Sequence, residues 1–129
     1  MRVLLDTHCW LWLCAEPERF SPVTLDRLAD PSTERLLSAA SVWEIVIKHG
    51  IGKLSLPVTP RDFVPSRLTI TRTAVLAVSA AHALRVAELP EHHRDPFDRM
   101  LVAQSLVEGV SLLTADTALA RYDLELMRP

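Results

Sequence analysis

Positions 3–13, VLLDTHCWLWL, are almost continuously apolar, and Asp6 is the one acidic residue that interrupts them. Residues 2–6 read as a short buried strand, and 7–15 as a helix that stops near Glu16-Pro17. Ser21-Pro22 fits the cap and first-turn positions of a second helix, which runs to about Asp30-Pro31. RLLSAAS (35–41) reads as a strand and turn. SVWEIVIKHGIGKL (41–54) carries apolar side chains at 42, 43, 46 and 47, a helical spacing that ends near Gly50 and Gly52. Pro57 and Pro60 mark a loop before a helix around 61–67. The β-branched TRTAVLAV (71–78) predicts a strand despite its alanines. Helices are expected at 79–87 and 96–108, a strand at 110–114 and a short helix from Asp116, with LELM as a further edge strand.

Strands that alternate with helices imply a parallel sheet covered on both faces. The 129 residues suit one domain (1–129) with a proper core, and 49% hydrophobic against 23% charged is a globular balance. With 14 basic and 16 acidic side chains the net charge is −2, so nucleic-acid binding would have to come from a local patch. Cys9 and Cys14 point roughly 140° apart around a helix, too divergent to pair, and read as reduced thiols. No apolar run has the length of a membrane span, and the expected location is cytoplasmic.

In parallel sheets, ligands gather beyond the carboxyl ends of the strands. Asp6 closes the first strand, Glu44 stands early in the helix after the second, Asp98 follows Asp95 by three, and Asp116 follows the last clear strand. Each also fits a structural role. Ser41-x-x-Glu44 and Asp95-Pro96-Phe97-Asp98 have capping-box spacing, while Asp6 and Asp116 could cap the helices they precede. Yet four caps should scatter over the fold, whereas these converge on one edge. Carboxylates packed together repel, and a hard divalent cation offsets that; Mg²⁺ or Mn²⁺ prefers such oxygen ligands. No Cys/His set has zinc spacing.

LLDTH, SAASVWEIVIKHGIGKL, LPEHHRDPFDRMLVAQ and LLTAD, taken in order from position 4 to 116, resemble PIN-domain ribonucleases of the VapC type. These are the toxins of bacterial toxin–antitoxin (VapBC) pairs. The resemblance implies a three-layer α/β/α fold around a central parallel sheet of four to five strands, and a Mg²⁺- or Mn²⁺-dependent endoribonuclease acting on RNA. It implies Asp6, Glu44, Asp98 and Asp116 as the catalytic, metal-binding acids, with Thr114 supporting the last. Asp98 is preferred to Asp95 because DRMLVA matches the family's helix opening; Asp95 remains an auxiliary acid or a cap. A small antitoxin protein and a homodimer are the implied partners. The alternative is a non-catalytic PIN module that binds RNA or protein.

Thr7 fits either the metal shell or a helix cap, and His8 reads as a satisfied structural histidine. His92-His93-Arg94 reads as a basic loop at the site's rim, with Arg94 and Arg99 as candidates for substrate phosphate. Lys48, at i+4 from Glu44, suits an ion pair or a phosphate contact. Trp10 and Trp12 on opposite sides of an apolar helix suggest a protein interface. Two rival α/β readings fit poorly. A receiver domain needs an aspartate ending its central strand, which TAVLAVSAAH lacks, and a dehalogenase-type phosphatase needs Asp-x-Asp where position 8 is His8.

Overall fold

The computed structural model describes every residue from Met1 to Pro129. β1 (Arg2–Leu5) leads into α1 (Thr7–Ala15), a 3₁₀ turn at Pro17–Arg19 and α2 (Pro22–Ala29). β2 (Glu34–Ser38) runs directly into α3 (Ala39–Gly50), followed by α4 (Pro60–Ile70), β3 (Thr73–Leu76) and α5 (Ala80–Ala87). α6 (Pro96–Glu108), β4 (Ser111–Leu113), a 3₁₀ turn at Thr117–Arg121 and β5 (Leu126–Met127) complete the chain. The five strands form one parallel sheet in the order β3-β2-β1-β4-β5. The expected three-layer α/β/α architecture is present. No helix is long and apolar enough to cross a membrane.

Alternation along the strands divides the apolar residues between the two faces of the sheet. Val3, Leu5, Leu37 and Leu113 join one core with Trp10, Leu28, Ile45 and Phe63 from the helices and loops on that side. Leu4, Leu36 and Leu112 join the other, with Leu101 and Val102 of α6. An uninterrupted apolar strand therefore serves two cores at once, as a doubly covered sheet requires. β1 pairs with β2 on one side and β4 on the other, so the strand order reverses beside β1. This is the switch point where the loops at the strand ends diverge and leave a crevice.

Several boundaries differ from the sequence expectation. α3 begins at Ala39, because Ser38 ends β2 and its hydroxyl accepts the Ala40 N–H at 3.0 Å. Ser41 is therefore inside the helix, the proposed Ser41–Glu44 capping box does not form, and Glu44 is free of capping duty. β3 starts only at Thr73, since Arg72 sits at φ 50, a left-handed conformation that breaks the extended run. The short helix expected from Asp116 is a 3₁₀ turn at Thr117–Arg121, with Asp116 as its cap. Gly109, at φ 65, ends α6 in the left-handed conformation that glycine adopts without a Cβ penalty.

α1 is also corrected. Trp10 is fully buried, meets Phe63 edge-on at 6.1 Å and donates from Nε1 to Thr71 Oγ1 at 3.3 Å. Trp12 is half-buried against Phe20, with the Arg19 guanidinium 5.0 Å from its ring centroid. The chain's own turns and α4 enclose Trp10, which leaves it no role as an interface anchor, while Trp12 keeps part of its ring open to solvent. The exposed tryptophan is Trp43.

Candidate metal and phosphate cleft

At the carboxyl end of the sheet lies a cleft of about 350 Å³ lined by Asp6, Glu44, Asp95, Asp98 and Asp116, with Thr7, His8, Trp12, Lys48 and Ala115. Asp6 and Asp116 come from the ends of neighbouring strands, and the Asp6 N–H continues the pairing by donating to the Leu113 carbonyl at 2.9 Å. Glu44 enters from α3 and Asp98 from the first turn of α6. All four acids of the sequence analysis, and Asp95 with them, therefore line one cleft.

The capping and cleft-lining readings prove compatible. Asp6 caps α1 through Oδ1, which accepts the Cys9 N–H at 2.7 Å. Asp95 caps α6, accepting from Phe97 N–H at 2.9 Å and Asp98 N–H at 3.0 Å. Asp116 accepts the Ala118 N–H on Oδ1 and holds Oδ2 toward the cleft, while its own N–H donates to the hydroxyl of buried Thr114 at 3.0 Å. Each cap fixes the direction of a carboxylate whose second oxygen the cap does not use. Thr7 is not a cap: its hydroxyl donates to Glu44 Oε1 at 2.5 Å. Lys48 Nζ pairs with Glu44 Oε2 at 2.5 Å, the helical ion pair that its spacing suggested.

His93 is the residue that the sequence reading placed only at the rim. Its Nε2 lies 2.9 Å from Asp116 Oδ2 and 3.4 Å from Asp98 Oδ2. Its Nδ1 accepts the Asp95 N–H at 3.1 Å, which assigns the ring proton to Nε2. His93 thus donates to Asp116 while its ring edge lies against the Asp98 carboxylate, between two of the cleft's acids. The only sequence signal for this was its position two residues before the α6 cap, close enough for its ring to reach the Asp95 N–H.

Asp98 carries the electrostatic strain of the cleft. Burial pushes its carboxyl up to about 7, the Asp95, Glu44 and Asp6 carboxylates push the same way, and His93 opposes them. The hydrogen bond to Glu44 raises the Lys48 ammonium above its ordinary value, with help from the charges of Glu44, Asp95 and Asp98. Ligating atoms of His93, Asp98 and Asp116 all lie within 4.8 Å of one another, a spacing that one divalent ion can bridge. Directional oxygens, a carboxyl destabilised by its acidic neighbours and no thiolate in the set suit a hard cation such as Mg²⁺ or Mn²⁺. With its proton on Nε2, His93 would have to shift that proton before it could ligate.

The remaining candidates separate. Arg94 is exposed and has no hydrogen-bond or ion-pair partner. Arg99 is corrected: its guanidinium donates to the carbonyls of Val86, Pro90 and His93 and faces the Tyr122 hydroxyl, which ties down the 86–93 segment and leaves little to offer a phosphate. His8 is also corrected, being exposed at the cleft mouth without a partner. Cys9 and Cys14 are free thiols, and burial raises both, Cys14 to about 12.

Over 120 residues the chain is 28% identical to Ribonuclease VapC22 of Mycobacterium tuberculosis, an alignment covering 93% of this chain and 91% of that one. It is 47% identical to Ribonuclease VapC16 of the same organism, but over 47 residues, which are 36% of this chain and only 33% of that relative. Among solved structures, VapBC2 from Rickettsia felis bound to a promoter DNA fragment superposes with a TM-score of 0.73 at 18% identity, covering 99% of this chain and 98% of that one. FitAcB from Neisseria gonorrhoeae gives 0.63 at 22%, covering 97% and 96%. The PIN domain model matches residues 3–125, nearly the whole length over which the sheet and its acidic cleft are built, and the chain belongs to the PIN-domain family.

Proposed function

We propose that the protein is a Mg²⁺- or Mn²⁺-dependent endoribonuclease, the VapC-type toxin of a toxin–antitoxin pair, acting in the cytoplasm. One observation carries this reading: five carboxylates line a single cleft at the switch point of a parallel sheet, with the Asp98 carboxyl pushed up to about 7 by its burial among them. Such a cleft repels an RNA phosphate unless a cation is present. The full-length alignment with a ribonuclease supports the same chemistry.

Asp6, Glu44, Asp98 and Asp116 are the proposed ligand set, with Thr7 orienting Glu44, Thr114 orienting Asp116 and Asp95 fixing the start of α6. When bound, the metal would supply Lewis-acid polarisation of the phosphate and acidification of water. The chain's own contribution is preorganisation: caps and ion pairs fix the carboxylates before substrate arrives. Lys48 neutralises Glu44 and keeps two further donor positions, and unpaired Arg94 stands beside the acidic loop. These two are the proposed phosphate contacts. The relatives solved as VapBC and FitAcB assemblies support a small antitoxin as partner. Exposed Trp43, stacked edge-on against Phe97 at 5.5 Å, supports a second copy as the other partner.

The test is cleavage of single-stranded RNA by purified protein. Cleavage should require Mg²⁺ or Mn²⁺, stop with EDTA and fall by about a hundredfold or more in Asp98→Asn. Metal-dependent cleavage that survives this substitution at the wild-type rate would overturn the assignment.

A further inference from the structure

We propose that an apolar pocket adjoining the carboxylate cleft receives a nucleobase of the strand whose phosphate lies at that cleft, a subsite that rests on the ribonuclease reading above. The pocket, about 280 Å³, is formed between α1, the segment 54–57 and α4. His8 and Trp12 line both cavities, so the pocket begins where the cleft ends. A phosphodiester seated at the carboxylates carries its neighbouring nucleoside to that border.

The pocket's chemistry suits a base. Leu54, Leu56 and Phe63 supply apolar walls, and Trp12 and Arg67 supply planar groups on which a base can stack. Trp12 is braced before any ligand arrives, by Phe20 edge-on at 6.3 Å and by the Arg19 guanidinium. Bracing of this kind lowers the ordering cost of binding. The Arg67 guanidinium lies 5.4 Å from the Phe63 ring centroid, half-buried, with no carboxylate or carbonyl partner for its donors. His8 is likewise unpaired. Unpaired donors beside apolar walls match a ligand with flat faces and an edge of acceptors, which describes a base better than an aliphatic side chain. His8 and Arg67 carry the pocket's unpaired donors, while its one carboxylate, Glu16, is paired with Arg19 at 3.1 Å.

The experiment walks one abasic nucleotide across the preferred cut of a short single-stranded RNA, with wild-type protein and Mn²⁺. Loss of the base at one position flanking the cut should raise KM about tenfold, while abasic sites farther away change it less than twofold. Trp12→Ala or Arg67→Ala should erase the difference between intact and abasic strands, and Trp12→Phe should preserve it. Mn²⁺-dependent stabilisation should be the same in all three variants. A flat abasic profile with normal cleavage, or a penalty that persists in the folded Trp12→Ala and Arg67→Ala proteins, overturns the pocket alone. Those two variants losing a co-expressed partner protein while keeping the full abasic penalty would assign the pocket to a protein segment, and likewise overturn it. A wild type that neither cuts the strand in Mn²⁺ nor binds it in Ca²⁺ overturns this subsite and the ribonuclease reading together.

Discussion

At the amino end of the sheet, Arg35 sends its guanidinium to the carbonyls of Leu28, Thr71 and Arg72, Arg2 pairs with Glu34, and the Met1 amine donates to Ser32. At the carboxyl end, five carboxylates share one cleft with only Lys48, His93 and the Thr7 hydroxyl as side-chain donors to them. The same strands make both ends, so the difference lies in the side chains placed there. Donors at the amino end satisfy carbonyls that a strand and two helix ends leave over, a contribution to stability. Negative charge at the carboxyl end exceeds what the chain neutralises, and that excess destabilises the metal-free fold. One end is closed electrostatically, while the other is left for a ligand to close.

The largest expected effect separates stability from function at the open end. Asp98→Asn keeps the shape of the side chain and removes its charge, so the metal-free variant should melt above metal-free wild type at pH 8, by several degrees for a domain of this size. Mn²⁺ at about 100 times its dissociation constant should stabilise wild type by about 2.7 kcal/mol and the variant much less. Thermal melts in EDTA and in Mn²⁺ measure both. A variant that melts lower without metal and gains as much from Mn²⁺ would make Asp98 an ordinary structural residue.

At the closed end the sign reverses. Arg35→Ala leaves three carbonyls without their donor and should destabilise by about 2 kcal/mol, discounted for partial exposure. Metal-dependent cleavage by the folded fraction should be unchanged. Urea titration and the cleavage assay together check this, and loss of activity without loss of stability would break the comparison.

A smaller effect concerns pH. The Asp98 carboxyl is raised from 3.8 to about 7, so between these values the folded protein binds more of a proton than the unfolded chain. Its contribution to metal-free stability is full below the unfolded value and is lost as pH rises through about 7. The stability gap between wild type and Asp98→Asn in EDTA should therefore widen, in favour of the variant, from pH 5 to pH 8. Melts across that range would show it, and a gap independent of pH would remove Asp98 from the strained position assigned to it. The smallest change should follow Arg2→Ala, because the Arg2–Glu34 pair is solvent-exposed on both sides, and denaturation should register less than about 1 kcal/mol.

Order along the chain was legible from sequence because its signals are local. The apolar runs at 3–5 and 36–37, the Ser21-Pro22 and Asp95-Pro96 caps and the stop at Gly109 are each decided by a few adjacent residues. The acidic cleft was legible for a topological reason: in a parallel sheet, residues just beyond strand ends must meet on one edge, so Asp6 and Asp116 could be placed together without coordinates. Contacts with no such local signal were decided by the tertiary structure. Trp10 and Trp12 are hydrophobic under either reading, and only the packing of Phe63 made Trp10 interior, while Phe20 braces a half-exposed Trp12 and Trp43 is left in solvent. Arg99 and Arg94 are the same kind of charge five residues apart in sequence, yet the fold of the 86–93 segment consumes the donors of one and leaves the other free. His93 reaches Asp116 across 23 residues, a separation at which sequence spacing carries no geometry. Sequence determined which groups stand at the sheet's edge, since strand and helix periods act over a few residues; folding decided which of them touch, because contact depends on where distant segments pack.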